Sequence, residues 1–149
     1  MLQVLIVRST LVSMLFYNRQ AGILTDDAGE VIADGFYAGM NLGKNNPAMQ
    51  KVHNVGPLPA GVYTIGQLMI HPPGDPLRHL GPCMSLTPDP ANVMFGRGGF
   101  FFHLDNPAHV GASSNGCVIA QNTADATGYA KLQRIDSLRA AGESRVTVQ

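Results

Sequence analysis

Charge is scarce in this sequence. Only 13% of its 149 residues are Asp, Glu, Lys or Arg, and ten basic side chains balance ten acidic ones. A chain with no net charge carries no basic footprint to neutralise phosphates, which excludes nucleic acid as a leading partner. Cysteine is scarcer still: Cys83 and Cys117 are the only two, too few for a disulfide framework, although the sequence leaves one bridge between them open. Long apolar runs are missing as well. No uncharged apolar stretch reaches 18 residues, so no transmembrane helix is expected. The opening MLQVLIVRSTLVSMLFY is apolar, but Arg8 interrupts it, and it has neither a basic leading region nor a small-residue cleavage site. It reads as mature structure and not as a signal peptide. Repeats, low-complexity tracts and linkers are absent too, so residues 1–149 are expected to form one domain. Its size needs no disulfide or structural metal to complete the core.

Turn formers are plentiful. Seventeen Gly and ten Pro are spread along the chain, which points to short elements joined by tight turns and hence to a mainly β fold. Leu2 to Arg8 and Leu11 to Tyr17 read as a pair of early strands, and Asp26, Asp27 and Gly29 as a turn. Glu30 to Tyr37 is a further strand, Gly39 to Pro47 a loop, and Gly56-Pro57-Leu58-Pro59-Ala60-Gly61 a rigid turn into the strand Val62 to Ile65. His71 to Pro90 holds six prolines around the apolar piece Met84 to Leu86, so a long ordered loop carrying one strand is expected there. Phe100 to Leu104 is a continuous apolar run with His103 inside it, typical of a strand buried on both faces. The segment Cys117 to Ala120 reads as its neighbour. One helix is predicted, Ala124 to Ala141. There Tyr129, Leu132, Ile135 and Leu138 recur at three-residue intervals, Asn122 or Thr123 can cap the start, and Gly142 can close the end.

The residues able to do chemistry gather in Phe102-His103-Leu104-Asp105-Asn106 and Ser113-Ser114-Asn115-Gly116-Cys117. A thiol is mostly protonated at neutral pH, so a nucleophilic cysteine needs an imidazole or a helix N-terminus beside it. His103 is the best-placed base if the two strands pair. Asn115-Gly116 permits a turn with positive φ, which can aim the Gly116 and Cys117 amides at one spot as an oxyanion hole. Asp105 and Ser114 can orient His103 or simply cap turns. His109 lies in the intervening loop, towards substrate or solvent. His71, His79 and Cys83 match no common zinc spacing, so no metal and no cofactor are expected.

The box Ser114-Asn115-Gly116-Cys117, preceded by His103, resembles the Ser-His-Gly-Cys signature of the YkuD-type L,D-transpeptidases at three of its four positions. The likeness is closer to a branch among type VI secretion effectors, the Tlde-type L,D-transpeptidase effectors. It runs through Tyr37-Ala38-Gly39, Asn45 to Gln50, Asn54 to Tyr63, Leu86-Thr87-Pro88 and Met94 to His103, covering roughly residues 23 to 148. Asn115 replaces the box histidine. Ile119 stands where many relatives carry an arginine, so Arg97 becomes the candidate for binding a substrate carboxylate, with Ser114, Asn115 and Asp105 as further substrate-binding candidates.

The resemblance implies a compact L,D-transpeptidase-like β-sandwich or barrel with one helix after the nucleophile strand. It implies a cysteine enzyme acting on tetrapeptide stems of peptidoglycan, removing D-alanine or exchanging it for another D-amino acid through a thioacyl-enzyme. It further implies an antibacterial effector made in the cytoplasm, handed to a secretion machine, active in the periplasm of target bacteria and matched by a cognate immunity protein. Two other readings are compatible with the sequence: a non-catalytic wall-binding module, and a cysteine endopeptidase or amidase of peptidoglycan.

Overall fold

A computed structural model describes residues 14–149. The strand predicted at Leu2 to Arg8 lies outside them. Nine short strands form one sheet: β1 (Met14–Asn18), β2 (Ile23–Thr25), β3 (Val31–Ala33), β4 (Phe36–Ala38), β5 (Gly61–Ile65), β6 (Cys83–Pro88), β7 (Phe100–Leu104), β8 (Val118–Ala120) and β9 (Arg145–Val148), with one helix, α1 (Gly128–Ala140). The spatial order is β3-β2-β1-β9-β5-β6-β7-β8-β4. The fold is therefore mainly β with a single helix after the cysteine, as expected. No helix among the described residues is long and apolar enough to cross a membrane.

Alternation writes the core. Side chains on a strand point to opposite faces in turn, and Leu15 and Tyr17 of β1, Tyr63 and Ile65 of β5, Met84 and Leu86 of β6, Phe100 and Phe102 of β7 and Val146 and Val148 of β9 all fall on the buried inner face. The register keeps them in rows: Leu15 opposite Val146, Val146 opposite Tyr63, Met84 opposite Phe102, Phe102 opposite Val118. A slip of one residue would turn each row outward.

The predicted strand Glu30 to Tyr37 divides in two, and the reason lies in Asp34-Gly35. Only these two residues separate β3 from β4, yet the two strands form opposite ends of the sheet. The sheet therefore curls until its ends meet, and the Phe36 amide donates to the Gly22 carbonyl at 3.1 Å where they do. Ile23–Thr25 is a strand that the sequence reading passed over. It is too short to show alternation and is held by pairing on both sides.

The helix is shorter than predicted. It begins at Gly128, with the Thr127 hydroxyl accepting from the Ala130 amide as its cap. Gly128 thus opens the helix and does not interrupt it. A Cβ there would stand 2.3 Å from the Ala120 carbonyl oxygen, so the glycine lets the helix start press onto β8. Leu132 and Ile135 are fully buried, each contributing about 2 kcal/mol. Tyr129, predicted to share that stripe, is half exposed, and Lys131 takes the inner position by donating to the Gln121 carbonyl at 2.7 Å.

Tyr17 is the exception inside the core. Its hydroxyl is buried with no hydrogen-bond partner among the described residues, and burial pushes its pKa well above the ordinary value. An unsatisfied buried hydroxyl costs roughly 1–3 kcal/mol. Tyr17→Phe should therefore raise the urea midpoint by an amount equivalent to about 1 kcal/mol. A lower midpoint would show that the hydroxyl is bonded.

Candidate functional site

The parallel pairing of β7 with β8 sets Phe102 opposite Val118 and His103 opposite Ile119. Extending that register by one residue brings Phe101 beside Cys117, the residue just ahead of β8. Cys117 was expected within the strand; it is instead the last residue of the turn that feeds it. Phe101, His103, Cys117 and Ile119 then share the outer face of the sheet, opposite to the core face of Phe102 and Val118. His103 and Cys117 are diagonal neighbours across two adjacent strands, and both border one cavity of about 610 Å³. His79, Asp105, His109 and Asn115 border it as well. A second cavity of about 400 Å³ shares Cys117, Asn115 and Gly99 with the first and adds His53, Asn54 and Arg97. Cys117 stands where the two meet.

His103 is 7% exposed, and its Nδ1 lies 2.8 Å from the Leu104 carbonyl. A carbonyl only accepts, so Nδ1 carries the proton and Nε2 is the bare, basic nitrogen. Burial lowers the His103 pKa more than the Leu104 hydrogen bond and nearby Asp105 raise it, and His79 adds to the lowering. The ring is neutral at pH 7. Burial also pushes the Cys117 thiol up to about 11, against hydrogen bonds from the Phe101 and Cys117 amides and the charge of Arg97, which favour the thiolate. Cys83 adds to the rise. The sulfur rests 3.8 Å from the Gly99 carbonyl. The two groups bordering this cavity are thus a thiol and a neutral imidazole and not a preformed ion pair.

The turn before Cys117 is held from several sides. Ser114 Oγ donates to the Cys117 carbonyl at 2.6 Å and accepts from the Gly116 amide at 3.1 Å and the Gly39 amide at 2.8 Å. The Gly116 carbonyl accepts from the Leu58 amide at 3.0 Å, and the Asn115 carbonyl from Arg97 Nη2 at 3.0 Å. Gly116 has φ +133°, and a Cβ there would meet Phe100 Cε1 at 2.6 Å and Arg97 Nη2 at 2.7 Å. Glycine is required on both counts.

Several of the candidate side chains and amides are already engaged within the protein. The Gly116 amide is engaged by Ser114 Oγ, so it is not aimed at an oxyanion. Ser114 is fully buried with its hydroxyl saturated, which makes it a brace of the turn and not a substrate contact. Arg97, the candidate for binding a substrate carboxylate, is 8% exposed and donates to four carbonyls. Asp105 does not bond His103 either. Its carboxylate accepts from Tyr37 Oη at 2.7 Å, Ser113 Oγ at 2.8 Å, Gln121 Nε2 at 2.9 Å and the Gly111 amide at 3.0 Å, tying the 105–116 loop to the sheet. These donors hold its pKa below the ordinary value against the burial that raises it. Asn115 is exposed, and its side chain makes no hydrogen bond among the described residues, so it is free to meet a ligand.

Tyr37, Gln121 and the Leu104 carbonyl were missed by sequence reasoning. Tyr37 and Asp105 are 68 positions apart, and no local pattern links them. His71, His79 and Cys83 go to separate places: His71 to Asp75 at 3.3 Å, His79 to the Pro76 carbonyl at 2.7 Å, and Cys83 into the sheet opposite His103. Among the described residues no three metal-ligating side chains converge. Both cysteines are free. β7 lies between them and Cys117 is two residues along from the row of Cys83, so more than two strand spacings, over about 10 Å, separate their backbones, beyond disulfide reach.

Fold and site together define a β-rich domain with a half-buried thiol and a buried, oriented imidazole on one cleft. A protein-family model described as the Tlde1 domain matches residues 34–144, and the chain belongs to that family. The membership supports the expected context of a type VI effector. A search of the curated proteins gives no match.

Because the thiol lies above its free value of about 8.5, alkylation of Cys117 by iodoacetamide should keep accelerating with pH to a midpoint near 11. Mass spectrometry of the labelled peptide reads this directly. A plateau below pH 8 would show a thiolate already stabilised at rest.

Proposed function

We propose that this chain is a cysteine L,D-transpeptidase or L,D-carboxypeptidase acting on peptidoglycan tetrapeptide stems, delivered to rival bacteria as a type VI effector. The observation that supports it most is the pair on one cleft, a half-buried thiol and an imidazole whose Nδ1 is fixed by the Leu104 carbonyl. The resemblance of the 114–117 box supplies the substrate class.

In this mechanism His103 Nε2 takes the thiol proton as Cys117 Sγ attacks the carbonyl between the L-centre of diaminopimelate and terminal D-alanine. A carbon–sulfur bond forms, and the developing oxyanion is held by donors other than the Gly116 amide. His103 returns the proton to the departing nitrogen, the carbon–nitrogen bond breaks, and D-alanine leaves a thioester behind. Water releases a tripeptide stem, a D-amino acid gives exchange, and a second stem gives a crosslink. The two cavities meeting at Cys117 leave room for an acyl donor on one side and an acceptor on the other. Asn115, bordering both, is positioned to touch either. The immunity protein and the periplasmic site of action belong to the same proposal.

Muropeptide mass profiles test the chemistry. The purified protein should remove a single alanine from tetrapeptide stems, Cys117→Ala should abolish this, and Cys83→Ala should spare it. His103→Ala should be nearly as damaging as Cys117→Ala, because residues acting as one unit fail together. Release of whole peptides would favour an endopeptidase or amidase, and an inert protein with intact wall binding would favour a non-catalytic module.

The compartment gives a separate test. Expression with an added export signal should lyse or distort growing cells, whereas cytoplasmic expression should be tolerated. Equal toxicity from both would sink the cell-wall reading.

A further inference from the structure

Arg97 is a buried cation with no carboxylate partner. Its side chain is 8% exposed, and among the described residues no acidic group lies within ion-pair distance of it. Four carbonyls hold it in place instead: Nη1 donates to Gln50 at 2.6 Å and Pro57 at 2.8 Å, and Nη2 to Gly56 at 2.9 Å and Asn115 at 3.0 Å. The guanidinium carbon also lies 5.2 Å from the centre of the Phe100 ring. Dipoles and a ring face stabilise a buried charge without neutralising it.

The charge is fixed beside the nucleophile. Arg97 borders the same cavity as Cys117, and it comes so close to Gly116 that a Cβ there would stand 2.7 Å from Nη2. The other titratable groups around Cys117 are the Cys83 thiol, then His103, His79, His109 and Asp105 on the larger cavity and His53 on the smaller one. Arg97 itself faces Tyr63, whose hydroxyl is buried and donates to the Pro59 carbonyl at 2.7 Å. Among the described residues Arg97 is the one permanent cation in this set.

We propose that Arg97 is a positioning residue that fixes the 115–117 turn and supplies a permanent positive charge to the sulfur of Cys117 as it becomes thiolate, and that it does not bind a substrate carboxylate. In the proposed step the thiol proton passes to His103 Nε2 and the negative charge left on Sγ gains a counter-charge already in place. The electrostatic direction agrees, since Arg97 favours the charged form of Cys117 and Cys117 favours that of Arg97.

The inference rests on reading Cys117 as the nucleophile, but its test needs no substrate and so stands apart from any test of stem cleavage. The pH dependence of Cys117 alkylation should be compared in wild type, Arg97→Lys and Arg97→Gln. The glutamine protein should shift the midpoint upward by about one pKa unit, slowing alkylation at pH 8 roughly tenfold, while the lysine protein retains most of the wild-type rate. A folded glutamine protein with the wild-type midpoint would overturn the inference, because a purely structural residue would change the melting temperature and leave that midpoint in place. Should neither variant fold, the carbon-13 resonance of Arg97 Cζ in the wild type decides. It should move with the Cys117 midpoint and stay flat in Cys117→Ala, and a flat response in both proteins would overturn the proposal.

Discussion

The parallel pairing of β7 with β8 is the constraint on which the site depends. It takes two segments separated by thirteen residues and lays them side by side in one register, with Phe102 against Val118 facing the core. Because alternate side chains of a strand face opposite ways, burying that apolar pair presents His103 and Cys117 together on the other face. The same hydrophobic rows that stabilise the sheet therefore set the spacing of the imidazole and the thiol. Asp105, gripped by Tyr37, Ser113 and Gln121, keeps the intervening loop from straying over the cleft.

Rigidity around Cys117 comes with a neutral resting state. The Ser114 brace, the Leu58 amide and the Arg97 clamp hold the turn without placing a carboxylate or a helix N-terminus near the sulfur. Burial then governs both members of the pair, raising the thiol and lowering the imidazole. A protonated thiol is slow to react with adventitious electrophiles and oxidants, since the thiolate is the reactive species.

Much of the sheet was legible in the sequence because its strands are apolar runs bounded by Gly, Pro and Asn, and the Phe100 to Leu104 and Arg145 to Val148 strands lie where those runs do. His103 and Cys117 stood out as candidates because few other residues in the chain pair a base with a nucleophile, and the fold sets both on one cavity. What the sequence hid was long-range. Nothing local around Arg97 announces its burial, and only the fold brings the carbonyls of Gln50, Gly56, Pro57 and Asn115 around it. Asp34-Gly35 read as the interior of one strand, since nothing local says that the chain crosses there from one end of the sheet to the other. Ser114 looked like a polar contact for substrate, yet its burial follows from Gly39, 75 positions away.

The position of β9 bears on how the protein is made. This strand comes last in sequence among the nine but sits inside the sheet, parallel to β1 on one side and antiparallel to β5 on the other. Until residues 145–148 have left the ribosome, β1 and β5 face an empty slot, and only the crossing at Asp34-Gly35 ties β1, β2 and β3 to the strands that carry the cleft. Pairings this distant in sequence form slowly. Translation thus yields an unfinished sheet first, and closing the ladder between β1 and β5 waits for β9.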